Sequence, residues 1–211
     1  MSRRGWGWLY AVLFSVGVWL LLATCIDRAL GQSYLVEVPI PTYDRDKYMP
    51  HGKWADFDKD GRTTRDEVLD RDCLCCGEDG LEIIHDGQIV NWCWVDFYTK
   101  EVLFIRKDAT VDHVVALKDH WYSGGWGRPV GALMKYANSI DDPDYLVVTE
   151  RSVNASKGYR GPDMFTAPNQ EADCDYIMMY LRVKLREGLR ISRPQLRASL
   201  GRLGECFPIN E

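Results

Sequence analysis

From Gly5 to Ile26 the chain runs for 22 residues without a charged side chain, GWGWLYAVLFSVGVWLLLATCI. About 20 apolar residues, at roughly 1.5 Å of helical rise each, cross a hydrocarbon layer about 30 Å thick. Arg3 and Arg4 precede the run. The positive-inside bias therefore holds the N-terminus in the cytoplasm and sends the remainder outward. Two forms fit. The length of the run favours an uncleaved signal anchor through residues 5–26, which would be the chain's contact with a membrane. A signal peptide would be removed at the small-residue site Ala29-Leu30-Gly31, near Gly31. In both forms residues 32–211 are exported to a periplasmic or extracellular space.

Export decides how the cysteines are read. Beyond the apolar run stand Cys73, Cys75, Cys76, Cys93, Cys174 and Cys206. An even set in an oxidising compartment predicts disulfides. The neighbours Cys73, Cys75 and Cys76 are expected not to bridge among themselves, so that one of them reaches Cys93. A redox or zinc pair at Cys73-x-x-Cys76 is the alternative.

The exported part divides into an extended tether over 32–52, with Pro39, Pro41 and Pro50, one folded domain over 53–206, and a tail over 207–211. Strand-like alternation covers residues 81–106, with Asp86-Gly87 as a hairpin turn. Further strands are predicted over Ala109–Leu117 and Leu146–Thr149. Helical spacing marks residues 64–69, 129–138, Cys174–Arg186 and Gln195–Leu203, the last ending at Gly204. The fold class is α+β. Cys174 opens one of the two last helices and Cys206 follows the other. An antiparallel pair turning at Gly188–Pro194 would bring them together as a disulfide.

The formal charge of −5 excludes a polybasic coat but leaves room for a local basic groove. Seven basic residues between 177 and 204, among them Arg182, Lys184, Arg186 and Arg202, face Glu187 alone and suggest a surface for phosphates. Asp56, Asp58 and Asp60, then Gly61 and Glu67, occupy positions 1, 3, 5, 6 and 12 of a calcium-loop pattern. An Asp-rich turn capping the following helix is the competing reading.

Two segments carry chemistry. Val111-Asp112-His113-Val114-Val115-Ala116-Leu117 sets an Asp and a His side by side on an apolar strand. Asn154-Ala-Ser-Lys157-Gly158 sets an Asn and a Lys three apart, on one face of a helical turn. Phosphodiester hydrolysis needs a base for water, which His can be, and a divalent ion to neutralise the phosphate. Asp and Asn oxygens suit a hard ion such as Mg²⁺.

In order along the chain stand TRDEVL at 64–69, DHVVAL at 112–117, Trp121 with SGG at 123–125, YANSI at 136–140, LVVTERSVNASKG at 146–158, PDMF at 162–165 and CDY at 174–176. This series, over about residues 53–206, resembles exported bacterial nucleases of the HNH, or His-Me finger, family, related to the nuclease half of modification-dependent restriction enzymes. The resemblance implies a ββα-metal finger with flanking hairpin and helices. It implies an endonuclease that cleaves nucleic acid, DNA ahead of RNA, with Mg²⁺ or Mn²⁺ and no obligate protein partner. Carried over by position, His113 resembles the general base, Asp112 and Asn154 the metal ligands, and Lys157 a catalytic contact to phosphate. Arg65 and Glu67 would support the active-site loop. The family's middle Asn is replaced by Tyr145, so its bracing role falls to Asn138. Cys at both 174 and 206 also matches the family. Two rivals remain: a non-catalytic, membrane-tethered calcium module using Asp56, Asp58, Asp60 and Glu67, and a degenerate nuclease that binds nucleic acid without cutting.

Overall fold

The computed structural model describes residues 39–76 and 83–207. The chain divides into Met1–Pro39 and Ile40–Glu211, and every described strand and helix belongs to the second unit. The apolar run, the cleavage motif, residues 32–38 of the expected tether and the end of the tail lie outside the described residues. Among the described residues no helix is long and apolar enough to cross a membrane.

The unit is α+β. Its strands form three separate antiparallel pairs: β1 (Ile83–His85) with β2 (Gln88–Val90), β3 (Trp94–Val95) with β4 (Val102–Leu103), and β5 (Ala109–His113) with β6 (Leu146–Glu150). Its helices are α1 (Thr64–Arg71), α2 (Leu117–Tyr122), α3 (Val130–Ala137), α4 (Arg151–Lys157), α5 (Gln170–Arg186) and α6 (Arg193–Cys206). The β5–β6 pair lies at the centre. Its register sets His113 opposite Leu146 and Asp112 opposite Val147. Both strands pack against α1 and α4, which explains why their side chains are buried on both faces rather than alternating. β6 passes into α4 without a loop, making a compact β-β-α unit.

Asp96 fixes the approach to that unit. It is fully buried; its Oδ1 accepts hydrogen bonds from the backbone of Tyr98 and Thr99 at 2.8 Å, and its Oδ2 accepts from the Thr149 hydroxyl. The 96–99 turn is thereby tied to β6, and Tyr98 is driven into a core shared with Phe165 and Tyr176.

Several expectations need correction. The strand expected over 109–117 ends at His113, and Leu117 already belongs to α2. An apolar Val-Val-Ala-Leu run does not distinguish strand from helix. The last helix continues through Gly204 to Cys206. Residues 39–52 are not a free tether: Tyr48 and Met49 are core residues, and the Trp121 indole donates to the Pro41 carbonyl at 2.8 Å. Three prolines remove helical period, but they do not prevent irregular backbone from delivering buried side chains.

All six exported cysteines form disulfides, Cys73–Cys76, Cys75–Cys93 and Cys174–Cys206. One member of the cluster reaches Cys93 as expected, but the other two do bridge each other. After α1 ends, the chain turns and sets their Cα atoms 5.6 Å apart, within disulfide range. With Cys73 and Cys76 joined to each other, neither offers a thiolate for zinc at Cys73-x-x-Cys76. The Cys174–Cys206 bond joins α5 to α6, with Cα atoms 5.9 Å apart across a separation of 32 residues. Replacing both with Ser should lower unfolding free energy by about 3–4 kcal/mol. Urea titration of the double variant against the parent checks this.

Candidate active site

Asp112 and His113 end β5, and Asn154 stands in the middle of α4. The β5–β6 register and the direct β6–α4 junction bring all three to the wall of one cavity of about 510 Å³. Trp54, Arg45, Lys118 and Arg151 complete its polar and aromatic rim.

His113 is held in one orientation. Its Nε2 lies 2.8 Å from the Ala137 carbonyl oxygen. A carbonyl only accepts, so Nε2 carries the proton and Nδ1 keeps its lone pair. The Trp54 ring stacks on the imidazole, with centroids 5.2 Å apart and planes 1° from parallel. Burial pushes the His113 pKa down to about 4, against the opposing pull of the Ala137 hydrogen bond and Asp112. The ring is therefore neutral near pH 7, the form a proton acceptor requires.

Asp112 is asymmetrically bound. Its Oδ2 accepts from the Tyr98 hydroxyl at 2.7 Å and pairs with the Lys157 ammonium at 2.8 Å. No described residue donates to Oδ1. Burial, and then Asp112 beside it, raises the Tyr98 pKa, so this phenol remains a donor. Lys157 is fully buried and also donates to the His113 carbonyl at 2.9 Å. The expected contact to phosphate is thus a buried ion pair beneath the cavity: Lys157 acts on Asp112. Asn154 is half-buried, and its carboxamide makes no hydrogen bond within the described residues. Asp112 and Asn154 thus bring hard oxygen donors to one cavity, the donor type that Mg²⁺ or Mn²⁺ takes.

Asn138 braces the site at one remove. Its Oδ1 accepts from the Ala55 backbone at 3.0 Å and its Nδ2 donates to Met134. It therefore secures the segment that carries Trp54, while its neighbour Ala137 holds His113. Arg65 donates to the Ala109 carbonyl at 3.1 Å and anchors the start of β5. Glu67 does not share that task. It faces the acidic loop: burial raises its pKa, and Asp58 and Asp60 raise it further. The Asp56, Asp58 and Asp60 carboxylates lie within 4.8 Å of one another, and Gly61 turns the loop at φ +92°.

Four of the seven basic residues between 177 and 204 are ion-paired. Lys184 pairs with Asp119, Arg182 with Asp144, Arg186 with Asp142 and Asp144, and Arg202 with Asp173. The cations at the cavity come instead from Arg45, Lys118 and Arg151, which no periodicity marked. Tyr98 was equally invisible, because its partner is distant in sequence. Trp54 carried a signal only as an aromatic beside the acidic segment.

A secreted protein of the fungus Arthroderma benhamiae, described as uncharacterized, is 30% identical over 170 residues, covering 80% of this chain and 78% of its own. The chain belongs to the family of that protein. No family model and no solved structure matches it. The finding overturns the family expectation drawn from the sequence: membership lies with a fungal secreted protein, not with the bacterial HNH nucleases. The relative's description as secreted agrees with export, and the three disulfides agree with an oxidising destination.

Proposed function

We propose that the protein is an exported, metal-dependent phosphodiesterase that cleaves nucleic acid, DNA ahead of RNA. The supporting observation is the convergence of Asp112, His113 and Asn154 on a single cavity with a cationic rim. In this reading β5, β6 and α4 act as a ββα-metal unit. Asp112 and Asn154 would hold a divalent ion, which supplies charge neutralisation at the phosphate and the leaving oxygen. His113 Nδ1 takes the proton from the attacking water. The anionic phosphate beside the ring favours the protonated imidazole that results. Arg45, Lys118 and Arg151 hold backbone phosphates, and Tyr98 and Lys157 keep Asp112 in register. The run Gly5–Ile26 would deliver the domain outside, either after cleavage near Gly31 or as an anchor; N-terminal sequencing of the exported chain distinguishes these.

The assay is cleavage of plasmid and single-stranded DNA in Mg²⁺ or Mn²⁺. Cutting is expected. A folded, monodisperse protein that leaves both substrates intact overturns the reading. Binding without cutting would instead mark a degenerate nuclease.

The convergence of Asp56, Asp58 and Asp60, with Glu67 facing them, favours a second, compatible reading: calcium stabilises the 56–67 loop. Calcium at a hundred times its Kd should add about 2.7 kcal/mol to stability, and Asp58→Asn with Asp60→Asn should abolish the gain. Thermal melts with calcium and with chelator measure it. A calcium-dependent melt with no phosphodiesterase activity is the signature of a non-catalytic calcium module.

A further inference from the structure

We infer that the divalent ion enters this site together with the anionic substrate, and that Lys157 strengthens this coupling while Tyr98 positions Asp112 for it. The inference rests on the phosphodiesterase reading above and deepens it.

Among the described residues that line the cavity, Asp112 is the one carboxylate. Its charge is already matched by Lys157, 2.8 Å from Oδ2 and fully buried. Arg45, Lys118 and Arg151 stand at the same cavity, and Asn154 contributes a neutral oxygen. A divalent cation entering alone would meet a site that is positive before it arrives. Low dielectric strengthens that repulsion, since charges near a protein surface interact several times more strongly than in bulk water. A phosphodiester changes the balance. Each phosphate brings a negative charge, and hard ions of this kind are commonly held by few carboxylates together with substrate phosphates. The ion should then raise substrate affinity by the same factor by which substrate raises ion affinity.

Tyr98 has a different part. Its hydroxyl and Lys157 both bind Oδ2, leaving Oδ1 as the oxygen for the ion. Tyr98 is a neutral donor, so it sets direction without altering charge. Tyr98→Phe should weaken ion binding and leave the coupling, whereas Lys157→Met should weaken the coupling.

Manganese binding to the full exported chain tests this, with Asp58→Asn and Asp60→Asn introduced so that the acidic loop does not contribute. Free manganese is followed by electron paramagnetic resonance at constant ionic strength. It is measured alone, with a short hydrolysis-resistant phosphorothioate oligonucleotide, and with its uncharged methylphosphonate counterpart. The phosphorothioate should tighten manganese binding by about tenfold or more, and the methylphosphonate should not. In Lys157→Met, manganese alone should bind about tenfold more tightly, and the phosphorothioate should tighten it by a smaller factor than in the protein retaining Lys157. Equal manganese affinity with and without the phosphorothioate in the protein retaining Lys157 overturns the inference, even if the Lys157 variant does not fold. Undiminished manganese binding in Asp112→Asn would remove the ion from this cavity and overturn the phosphodiesterase reading along with it.

Discussion

Replacing His113 with Gln should slow DNA cleavage by about 10²–10⁴-fold, the usual contribution of a positioned general base. The ring is built to accept one proton at one atom. Ala137 takes Nε2–H at 2.8 Å, and Trp54 fixes the plane of the ring by parallel stacking. Nδ1 is the remaining basic atom. Gln is a demanding test because its amide can still donate to the Ala137 carbonyl, so the end of α3 that carries Ala137 need not move. His113→Ala should lose a similar factor in rate but also lose stability, since a buried carbonyl and the Trp54 face are left without a partner. Single-turnover cleavage in Mn²⁺, with urea unfolding of each variant, separates the two effects. Near-parental turnover in His113→Gln would remove His113 from the reaction.

The parts of this site that were legible in the sequence are the short-range ones. Asp112 and His113 are adjacent, Asn154 and Lys157 are three apart, and both segments carry a pattern that identifies their element. Strand pairing then sets the first segment beside the second, and Asn154 reaches the cavity as expected. Lys157 shows where spacing stops being informative. Three residues apart on a helix means a shared face, but that face is wide enough to meet solvent at Asn154 and the core at Lys157. A lysine there is stable because Asp112 and the His113 carbonyl receive it. An unpaired buried ammonium would cost several kcal/mol. Asp112 and Lys157 are 45 residues apart in the chain, so no local pattern could reveal the pair.

Long-range pairing also accounts for four of the seven residues of the basic stretch. Arg182, Lys184, Arg186 and Arg202 occur together in the sequence, and charge density alone suggests a phosphate surface. Their partners Asp119, Asp142, Asp144 and Asp173 come from other parts of the chain. Lys184 is fully buried against Asp119, where the Tyr180 and Ser123 hydroxyls also donate. The same helices that looked like a binding surface therefore hold the fold together, and the cations left at the cavity lie on elements where each is isolated in sequence.

The protein should lose stability on mild acidification, with His120 a major cause. Its ring is fully buried between the 39–52 segment and α3. Nδ1 shares a hydrogen bond of 2.6 Å with the Tyr48 hydroxyl, and Tyr136 stacks at 3.8 Å. A Cβ on Gly125 would lie 2.1 Å from Nδ1, so the ring packs directly against the backbone there. The groups whose charge acts on the ring, Arg128, Lys184 and then His113, all oppose its protonation. Burial first, and then these charges, push the His120 pKa down to about 3. In the unfolded chain the ring titrates near its ordinary value of about 6.5. Between those values the unfolded state binds a proton that the folded state refuses. Stability is thus fully present above pH 6.5 and falls as pH drops toward 3. From pH 6.5 to 4.5 this single group should remove about 2–3 kcal/mol. His120→Phe keeps an aromatic ring against Tyr136 and cannot titrate. It should start less stable, because Tyr48 loses its partner, yet lose about 2–3 kcal/mol less over the same interval. His113 titrates in both proteins, so the difference between them reports His120 together with its smaller charge interaction with His113. Urea unfolding at pH 6.5 and 4.5 measures the difference, and parallel losses in the two proteins would exclude His120 as the source.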